Sequence, residues 1–90
     1  MWLKMYKIVL TKESVKAYKK CDKKTKQLLN ACFEDLKHTP ISGVCIKRLH
    51  GELNGLYRYR VGSLRVVYKI EESKVTVIVV GIGSRGDIYK

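Results

Sequence analysis

The sequence predicts an α+β fold in which a small antiparallel sheet of about four strands carries an N-terminal two-helix hairpin on one face, in the order β-α-α-β-β-β. Three observations support this. The stretch from Leu56 to Ile70 alternates between core-type and charged residues on both sides of Gly62-Ser63, two amphipathic stretches precede it, and a nearly continuous apolar run follows it. Because 90 residues suffice for one modest core, we expect a single domain over residues 1–90.

The central hairpin is predicted to turn at Gly62-Ser63, since glycine at the first central position is typical of a type II′ turn. Pairing Val61 with Leu64 then places Arg60 opposite Arg65. One face of the two strands is suited to pack beneath helices, and it carries Tyr57, Tyr59, Val61, Leu64, Val66 and Tyr68. The other face carries Arg58, Arg60 and Arg65.

The stretches before this hairpin are predicted to form a strand at Met5–Leu10, a helix over Lys12–Cys21 that Thr11 caps, and a second helix that Asp22 caps and that ends near His38. The apolar faces of the helices are expected at Val15, Tyr18 and Cys21 in the first, and at Leu28, Leu29, Cys32 and Leu36 in the second.

The remaining stretches complete the predicted sheet. Ile41–Gly55 contains several turn glycines and is expected to be irregular, with Ile46 and Leu49 in the core. Glu71–Lys74 is a polar turn, and Val75–Val80 is almost wholly apolar and therefore expected to be central in the sheet.

The charge of the chain points to a polyanionic partner. Nineteen Lys and Arg residues stand against 8 Asp and Glu residues, a formal net charge of +11, which attracts nucleic acid, a ribosomal surface or an acidic protein. The chain contains no apolar run of the roughly 20 residues that a membrane span needs. Lysines also stand where a signal peptide has its apolar core, so we expect a cytoplasmic protein with no membrane partner.

Metal and disulfide chemistry are not indicated. Cys21, Cys32 and Cys45 are an odd number with no close pair, which favours buried, reduced thiols. The histidines are isolated and the acidic residues do not cluster as carboxylate ligands of a divalent metal do. We therefore expect no metal site and no cofactor.

The distribution of arginine suggests a phosphate site. All five arginines lie in the second half of the chain, at Arg48, Arg58, Arg60, Arg65 and Arg85. Like charges placed directly opposite each other destabilise paired strands, whereas the planar guanidinium matches two phosphate oxygens at once. The alternative is a solvated face. Lys47, Arg48 and His50 form a basic stretch that is either a solvated loop or an auxiliary contact to an RNA backbone.

These motifs together resemble a known family. The segments that carry the likeness are Leu49-His50-Gly51, Tyr57-Arg58-Tyr59-Arg60, Leu64-Arg65-Val66-Val67-Tyr68 and Gly83-Ser84-Arg85 with Tyr89. With the order of elements, they resemble the RelE/ParE toxin superfamily, most closely the RelE-type mRNA interferases of type II toxin–antitoxin modules. The resemblance implies a ribosome-dependent, metal-free endoribonuclease that inhibits translation by cleaving mRNA in the A site through attack of the 2′-hydroxyl.

The resemblance also implies catalytic residues. Arg58 and Arg60 correspond to the first basic pair of the family, Arg65 to the basic residue of the next strand, Arg85 to the one after the last strand, and Tyr89 to the terminal tyrosine. Arginine stands here where lysines occupy the first pair, and guanidinium stays protonated, so the proton acceptor is left open. The usual final helix is missing or very short.

The implied partners are an acidic, RelB-like antitoxin in a hetero-oligomer, the ribosome and mRNA. Two other functions remain open at this point. One is a ParE-like toxin that inhibits DNA gyrase, and the other is a non-catalytic basic module that binds RNA or the ribosome.

Overall fold

The computed structural model describes residues 5–41, 43, 45–51 and 55–84. Its elements are β1 (Lys7–Leu10), α1 (Lys12–Lys20), α2 (Lys23–His38), β2 (Ile46–Arg48), β3 (Tyr57–Val61), β4 (Leu64–Glu71), a short 3-10 helix (Glu72–Lys74) and β5 (Thr76–Ser84). The predicted α+β fold, with a helical hairpin followed by strands, is confirmed. The sheet has one strand more than expected, because β2 forms within the stretch predicted to be irregular.

The five strands lie in the order β1-β5-β4-β3-β2. β5 is an interior strand between β1 and β4, as its apolar run predicts, and it extends to Ser84; the middle strand of the five is β4. The pairs among β2, β3, β4 and β5 are antiparallel, whereas β1 and β5 are parallel. The parallel pair was not expected, because β1 and β5 are too far apart along the chain for a short connection to set their relative direction.

The central hairpin has the predicted register. Val61 pairs with Leu64, Arg60 with Arg65, and Tyr57 with Tyr68. Gly62 has a φ of 59°, the left-handed conformation that the first central residue of a type II′ turn requires.

Both predicted helix caps are present. The Thr11 side chain accepts a hydrogen bond from the Ser14 amide at 3.3 Å, and Asp22 Oδ1 accepts one from the Thr25 amide at 2.8 Å. The bond from Thr25 favours the charged carboxylate and lowers the pKa of Asp22.

The buried face of α1 differs from the prediction by one residue. Ser14 is completely buried and donates a hydrogen bond to the Val79 carbonyl at 2.9 Å, whereas Val15 is 36% exposed. The prediction for Val15 was wrong because an amphipathic pattern treats serine as a surface residue. A hydroxyl bonded to a strand carbonyl is instead satisfied in the core, where its small side chain fits between α1 and β5.

The core lies between the helices and one face of the sheet. In α2, Leu29, Cys32 and Leu36 are buried as predicted, but Leu28 is 38% exposed and lies at the edge of the predicted face. The fully or nearly fully buried core residues are Tyr6, Leu29, Cys32, Leu36, Tyr59, Val66, Tyr68, Val77, Val79 and Ile82. Neither described helix is long and apolar enough to cross a membrane.

The three cysteines are free but not equally buried. Cys32 lies in the core, Cys21 is half-buried and Cys45 is exposed. Burial raises the pKa of Cys32 to about 12. The expectation of a buried thiol is therefore confirmed for Cys32 and wrong for Cys45, which lies just before the edge strand β2 rather than under the helices.

Candidate functional site

The side of the sheet that faces away from the helices carries a group of cations, which we call the arginine face. Arg58 and Arg60 on β3 and Arg65 on β4 alternate with the core residues of the same strands. Lys47 on β2 pairs with Arg58 and therefore belongs to the same face. The local cause is the strict alternation of the strands, which sends every second side chain to the side opposite the core.

Residues of the described chain do not neutralise these charges by ion pairing. The described ion pairs join Lys37 Nζ to Glu34 Oε2 at 2.7 Å and Lys74 Nζ to Glu71 Oε2 at 3.8 Å, and neither involves the arginine face. An opposite charge across the ladder would contribute roughly 0.2–1 kcal/mol, so the hairpin forgoes stability by placing arginine opposite arginine.

Two donors of the arginine face are buried without a partner. The Nε atoms of Arg58 and Arg65 are inaccessible to solvent and form no hydrogen bond with a described residue. A buried donor left unsatisfied costs about 1–3 kcal/mol. Because Arg58 pairs with Val67, it is a diagonal neighbour of Arg65, within reach for long side chains. Both arginines therefore lie on this face with a donor that no described residue accepts.

A cleft adjoins this face on the side of β2. Its volume is about 320 Å³, and it is lined by Cys45, Ile46, Lys47, Arg58 and Arg60. Three of these five residues are cationic, so the cleft has the charge that a phosphate-bearing ligand requires.

Two tyrosine hydroxyls bond the strands that carry the arginines to the helical side of the molecule. Tyr59 Oη donates to Asp35 Oδ2 at 2.7 Å, and Tyr68 Oη donates to the Pro40 carbonyl at 2.7 Å. Burial raises the pKa of both phenols, and for Tyr59 the hydrogen bond to the Asp35 carboxylate raises it further. Both bonds join the hairpin to α2 or to the segment that follows it, so the backbone positions of the arginines are fixed relative to the helices.

Two residues of the predicted basic stretch are not placed on the arginine face. Arg48 pairs with Tyr57 on the opposite side of the sheet, and its Cζ lies 5.9 Å from the centre of the Tyr57 ring. His50 is exposed and follows the end of β2. For both residues, contact with RNA stays a prediction.

The two predicted site residues of the C-terminal segment, Arg85 and Tyr89, lie outside the described residues. The described part of β5 ends at Ser84, which pairs with Leu64, and the preceding Gly83 pairs with Arg65. Their assignment to the site stays a prediction that rests on the resemblance.

Sequence reasoning missed part of the surface beside the arginines. Val67 projects to the arginine face yet is only 4% exposed, and its partner on β5 is Gly81, followed two residues later by Gly83. The sequence showed this in Gly81 and Gly83, two glycines on the same face of a largely apolar stretch. Among the described residues, no group of three or more His, Cys, Asp or Glu side chains is placed to hold a metal ion.

Comparison with known proteins identifies the family. The sequence model of the ParE toxin of the type II toxin–antitoxin system parDE matches residues 8–89. Toxin RelG of Mycobacterium tuberculosis is 34% identical over 58 residues, which are 64% of this chain and 64% of that relative's length. The match thus spans somewhat less than two thirds of the relative.

Solved structures share the fold. A chain of the toxin–antitoxin complex RelBE2 from Mycobacterium tuberculosis has a TM-score of 0.79 at 25% identity, covering 92% of this chain and 94% of that one. A chain of the archaeal RelE–RelB complex from Pyrococcus horikoshii has a TM-score of 0.78 at 24% identity, covering 92% and 98%. Given the family match over nearly the whole chain and these shared folds, the protein belongs to the ParE toxin family of type II toxin–antitoxin systems, within the RelE/ParE superfamily.

Proposed function

We propose that this toxin is a ribosome-dependent endoribonuclease that cleaves mRNA in the A site and so inhibits translation in the cytoplasm. The observation that carries the proposal is the arginine face, where the buried Nε atoms of Arg58 and Arg65 have no partner among the described residues. Guanidinium groups gathered on one face, without an ion pair to a described carboxylate, favour an anion with several oxygens, and the phosphate of RNA is one.

The chemistry needs no covalent step by the protein. The 2′-hydroxyl oxygen of the substrate attacks the adjacent phosphorus, and the bond from phosphorus to the 5′-oxygen breaks. The products are a 2′,3′-cyclic phosphate and a 5′-hydroxyl. The attacking oxygen loses a proton and the leaving oxygen gains one, while negative charge accumulates on the non-bridging oxygens. Cations fixed in position stabilise that charge without reorganising.

We assign roles by position on this face. Arg65, with the predicted Arg85, binds the non-bridging oxygens, and Arg58 and Arg60 bind phosphate and stabilise the leaving group. Tyr89 is predicted to stack on a base or assist proton transfer. A guanidinium group stays protonated at neutral pH, whereas an amine can lose its proton. Of the two lysines beside the arginines, Lys47 pairs directly with Arg58 and Lys69 lies diagonally to it, so we assign proton transfer to Lys47.

The proposed partner in the resting state is an acidic, RelB-like antitoxin in a hetero-oligomer. Structures of similar fold are toxin–antitoxin complexes, RelBE2 and archaeal RelE–RelB among them. A net charge of +11 speeds association with an acidic partner, and it attracts the ribosome and mRNA once the antitoxin is gone.

Inhibition of DNA gyrase is the second candidate, and the family match favours it, since the matching description is that of a ParE toxin. The arginine face argues for the nuclease, because a protein that inhibits gyrase by contact alone does not require converging phosphate ligands. A non-catalytic module that binds RNA or the ribosome would share the face but leave RNA intact.

The deciding experiment is primer extension on mRNA incubated with the purified protein, with and without programmed ribosomes that have an empty A site. We expect codon-phased cuts only with ribosomes, and ends that carry a 2′,3′-cyclic phosphate. Arg65→Ala should abolish the cuts, whereas Lys16→Ala on α1, which removes an equal charge from the helical side, should leave them. A parallel gyrase supercoiling assay separates the second candidate: inhibition there with intact mRNA would overturn the proposal.

A further inference from the structure

Val67 is an apolar residue on the arginine face, yet it is almost completely buried. Its exposed fraction is 4%. Of the buried apolar residues that the structure describes, Val67 alone lies outside the core cluster. Both described helices pack on the other side of the sheet, so they do not account for its burial. Groups on the arginine side of the sheet therefore cover this side chain.

The neighbours of Val67 on this face are mostly cations. Alternation places Arg65 two residues before it and Lys69 two residues after it on the same side of β4. Arg58 lies directly across on β3, whereas Gly81 lies across on β5 and has no side chain. The preference of valine for strands explains its presence at this position but not its burial beside a glycine. The side chains that the register brings next to Val67 are thus Arg58, Arg65 and Lys69.

Two of these cations are themselves partly covered. Arg58 and Arg65 are half-buried, whereas Lys69 and Arg60 are exposed on the same face. The Nε atoms of Arg58 and Arg65 have no accessible surface. Because Nε follows the three methylene groups of arginine, an inaccessible Nε means that the stem lies against the protein instead of extending into water. Arginine commonly packs its stem along apolar surface in this way while its charged end stays at the surface.

We propose that Val67 is a positioning residue, over which the stems of Arg58 and Arg65 pack so that both guanidinium groups keep a fixed orientation on the arginine face. The inference rests on the proposed function for what the two arginines act on. The packing itself is a property of the free protein. Val67 contacts no substrate and acts only through the arginines.

Order in these side chains matters for the chemistry. A long side chain that becomes ordered only when substrate binds loses conformational entropy at that moment, and a preformed arrangement avoids this cost. Donors that are already oriented also stabilise developing negative charge without reorganising. Arg58 and Arg65 therefore have a fixed orientation before RNA arrives, whereas the exposed Arg60 adjusts to it.

The first measurement uses the free toxin and needs no RNA. Side-chain NMR signals of the Nε–Hε groups, assigned with single Arg→Lys variants, report how each arginine moves and how fast its Hε proton exchanges with water. We expect the Hε protons of Arg58 and Arg65 to exchange about tenfold more slowly than that of Arg60 in the wild type. Val67→Ala should remove this difference, because the stems lose the apolar group on which they pack.

Matched variants separate positioning from loss of stability. Val66→Ala removes the same two methyl groups from the preceding residue of β4, which is completely buried on the helical side. It should lower the thermal unfolding temperature at least as much as Val67→Ala does, but it should leave the Nε signals as in the wild type. Val67→Ile keeps a branched apolar side chain and should retain the slow exchange. Val9→Ala, at an exposed position of β1, serves if Val66→Ala does not fold.

Cleavage then connects the packing to the proposed function. At saturating toxin, the single-turnover rate on programmed ribosomes should fall roughly 10- to 100-fold in Val67→Ala, as displacement of catalytic groups costs. Lower stability alone reduces the fraction of active toxin, which raises the half-saturating concentration but leaves the saturated rate unchanged. Val66→Ala should show only this second effect, and Val67→Ile should restore the rate.

Each outcome decides the question. If Arg58 and Arg65 exchange as fast as Arg60 in the wild type, or if Val67→Ala leaves their exchange slow, the proposal is wrong. It is also wrong if Val67→Ala loosens both arginines and the saturated cleavage rate stays at the wild-type value. If Val67→Ala loosens them and the wild-type toxin does not cut mRNA at all, the packing over Val67 stands and the proposed nuclease function fails.

Discussion

Arg60 and Arg65 lie directly opposite each other on β3 and β4, and the Val61–Leu64 pair separates them from the turn at Gly62-Ser63. In a hairpin selected for stability this position would carry opposite charges or an apolar pair. If the proposed function holds, this end of the hairpin is selected for ligand binding, and we expect substitution here to change stability and activity in opposite directions.

Replacing one arginine of this pair tests whether stability and activity change in opposite directions. Arg60→Glu creates an opposite-charge pair with Arg65 and should raise the free energy of unfolding by about 0.2–1 kcal/mol, while abolishing cleavage of mRNA on programmed ribosomes. The control is Lys16→Glu, which changes the net charge equally on α1. Urea unfolding measures both variants. If both variants raise the free energy of unfolding equally, the effect comes from the lower net charge and not from the Arg60–Arg65 pair.

Lys47 offers a second test, of proton transfer. Lys47→Arg keeps the positive charge but replaces an amine by a group that stays protonated. If Lys47 moves a proton, the single-turnover cleavage rate on programmed ribosomes should fall about 100-fold with little change in half-saturating toxin concentration. Lys16→Arg is the matched control, since Lys16 lies on α1, on the side of the sheet opposite the arginine face. Unchanged cleavage in Lys47→Arg would limit Lys47 to binding.

The bond between Tyr59 and Asp35 predicts a loss of stability in alkali. The pKa of Tyr59 in the fold lies above its ordinary value of 10.0, first because of burial and then because of the hydrogen bond to the carboxylate. A raised pKa stabilises the fold below pH 10 and loses that contribution as pH rises beyond it. Tyr59→Phe should lower the free energy of unfolding near neutrality by about 0.5–1.5 kcal/mol and flatten the alkaline decline, which Tyr68 should still maintain in part.

A comparison variant for this prediction is Tyr18→Phe. The Tyr18 hydroxyl also donates a hydrogen bond, to Asn30 Oδ1 at 2.8 Å, but on the exposed side of the helices. Tyr18→Phe therefore removes a hydroxyl of the same kind without removing a hydrogen bond to a carboxylate. If Tyr18→Phe and Tyr59→Phe alter the pH profile alike, burial of Tyr59 is not the cause.

The cysteines should react in the order of their exposure. Cys45 is exposed and should be labelled rapidly by a thiol reagent, whereas Cys32, buried and with its pKa raised to about 12, should be labelled only on unfolding. Mass spectrometry of peptides over a time course separates the sites. Labelling of Cys32 at the rate of Cys45 under native conditions would contradict the described core.

The buried hydroxyl of Ser14 should matter more than the neighbouring valine. Ser14→Ala removes the hydrogen bond to the Val79 carbonyl, which keeps the one from the Thr11 amide at 3.1 Å, and should cost about 0.5–1.5 kcal/mol in free energy of unfolding. Val15→Ala removes a larger apolar group from an exposed position and should change it by less than about 0.5 kcal/mol. Urea unfolding compares the two. A larger loss from Val15→Ala would restore the face predicted from the sequence.

The hairpin was predictable because its determinants are local. Gly62 specifies the turn, and core-type and charged residues alternate on either side of it, which specifies the register and both faces. The placement of Arg58, Arg60 and Arg65 on one side therefore follows from the sequence alone. The caps Thr11 and Asp22 are local in the same sense, since each bonds an amide three residues later.

What escaped prediction depends on contacts distant in sequence. β2 is only three residues long, and it forms because β3 offers an edge to Lys47 and its neighbours. The burial of Ser14 depends on a carbonyl of β5, and the exposure of Cys45 depends on its place outside the helical layer. No local pattern contains this information.

The position of β5 between β1 and β4 affects the order in which the sheet forms. The hairpin of β3 and β4 closes through a two-residue turn, whereas β1 and β5 meet across most of the chain, with Lys7 beside Thr76. Local pairs form early and distant pairs late. During synthesis the hairpin that carries Arg58, Arg60 and Arg65 can therefore form before β5, whereas α1 and β1 gain their neighbour in the sheet only when Thr76–Ser84 has emerged. Competence for toxicity should thus arise after translation of this last strand, in a single late docking step.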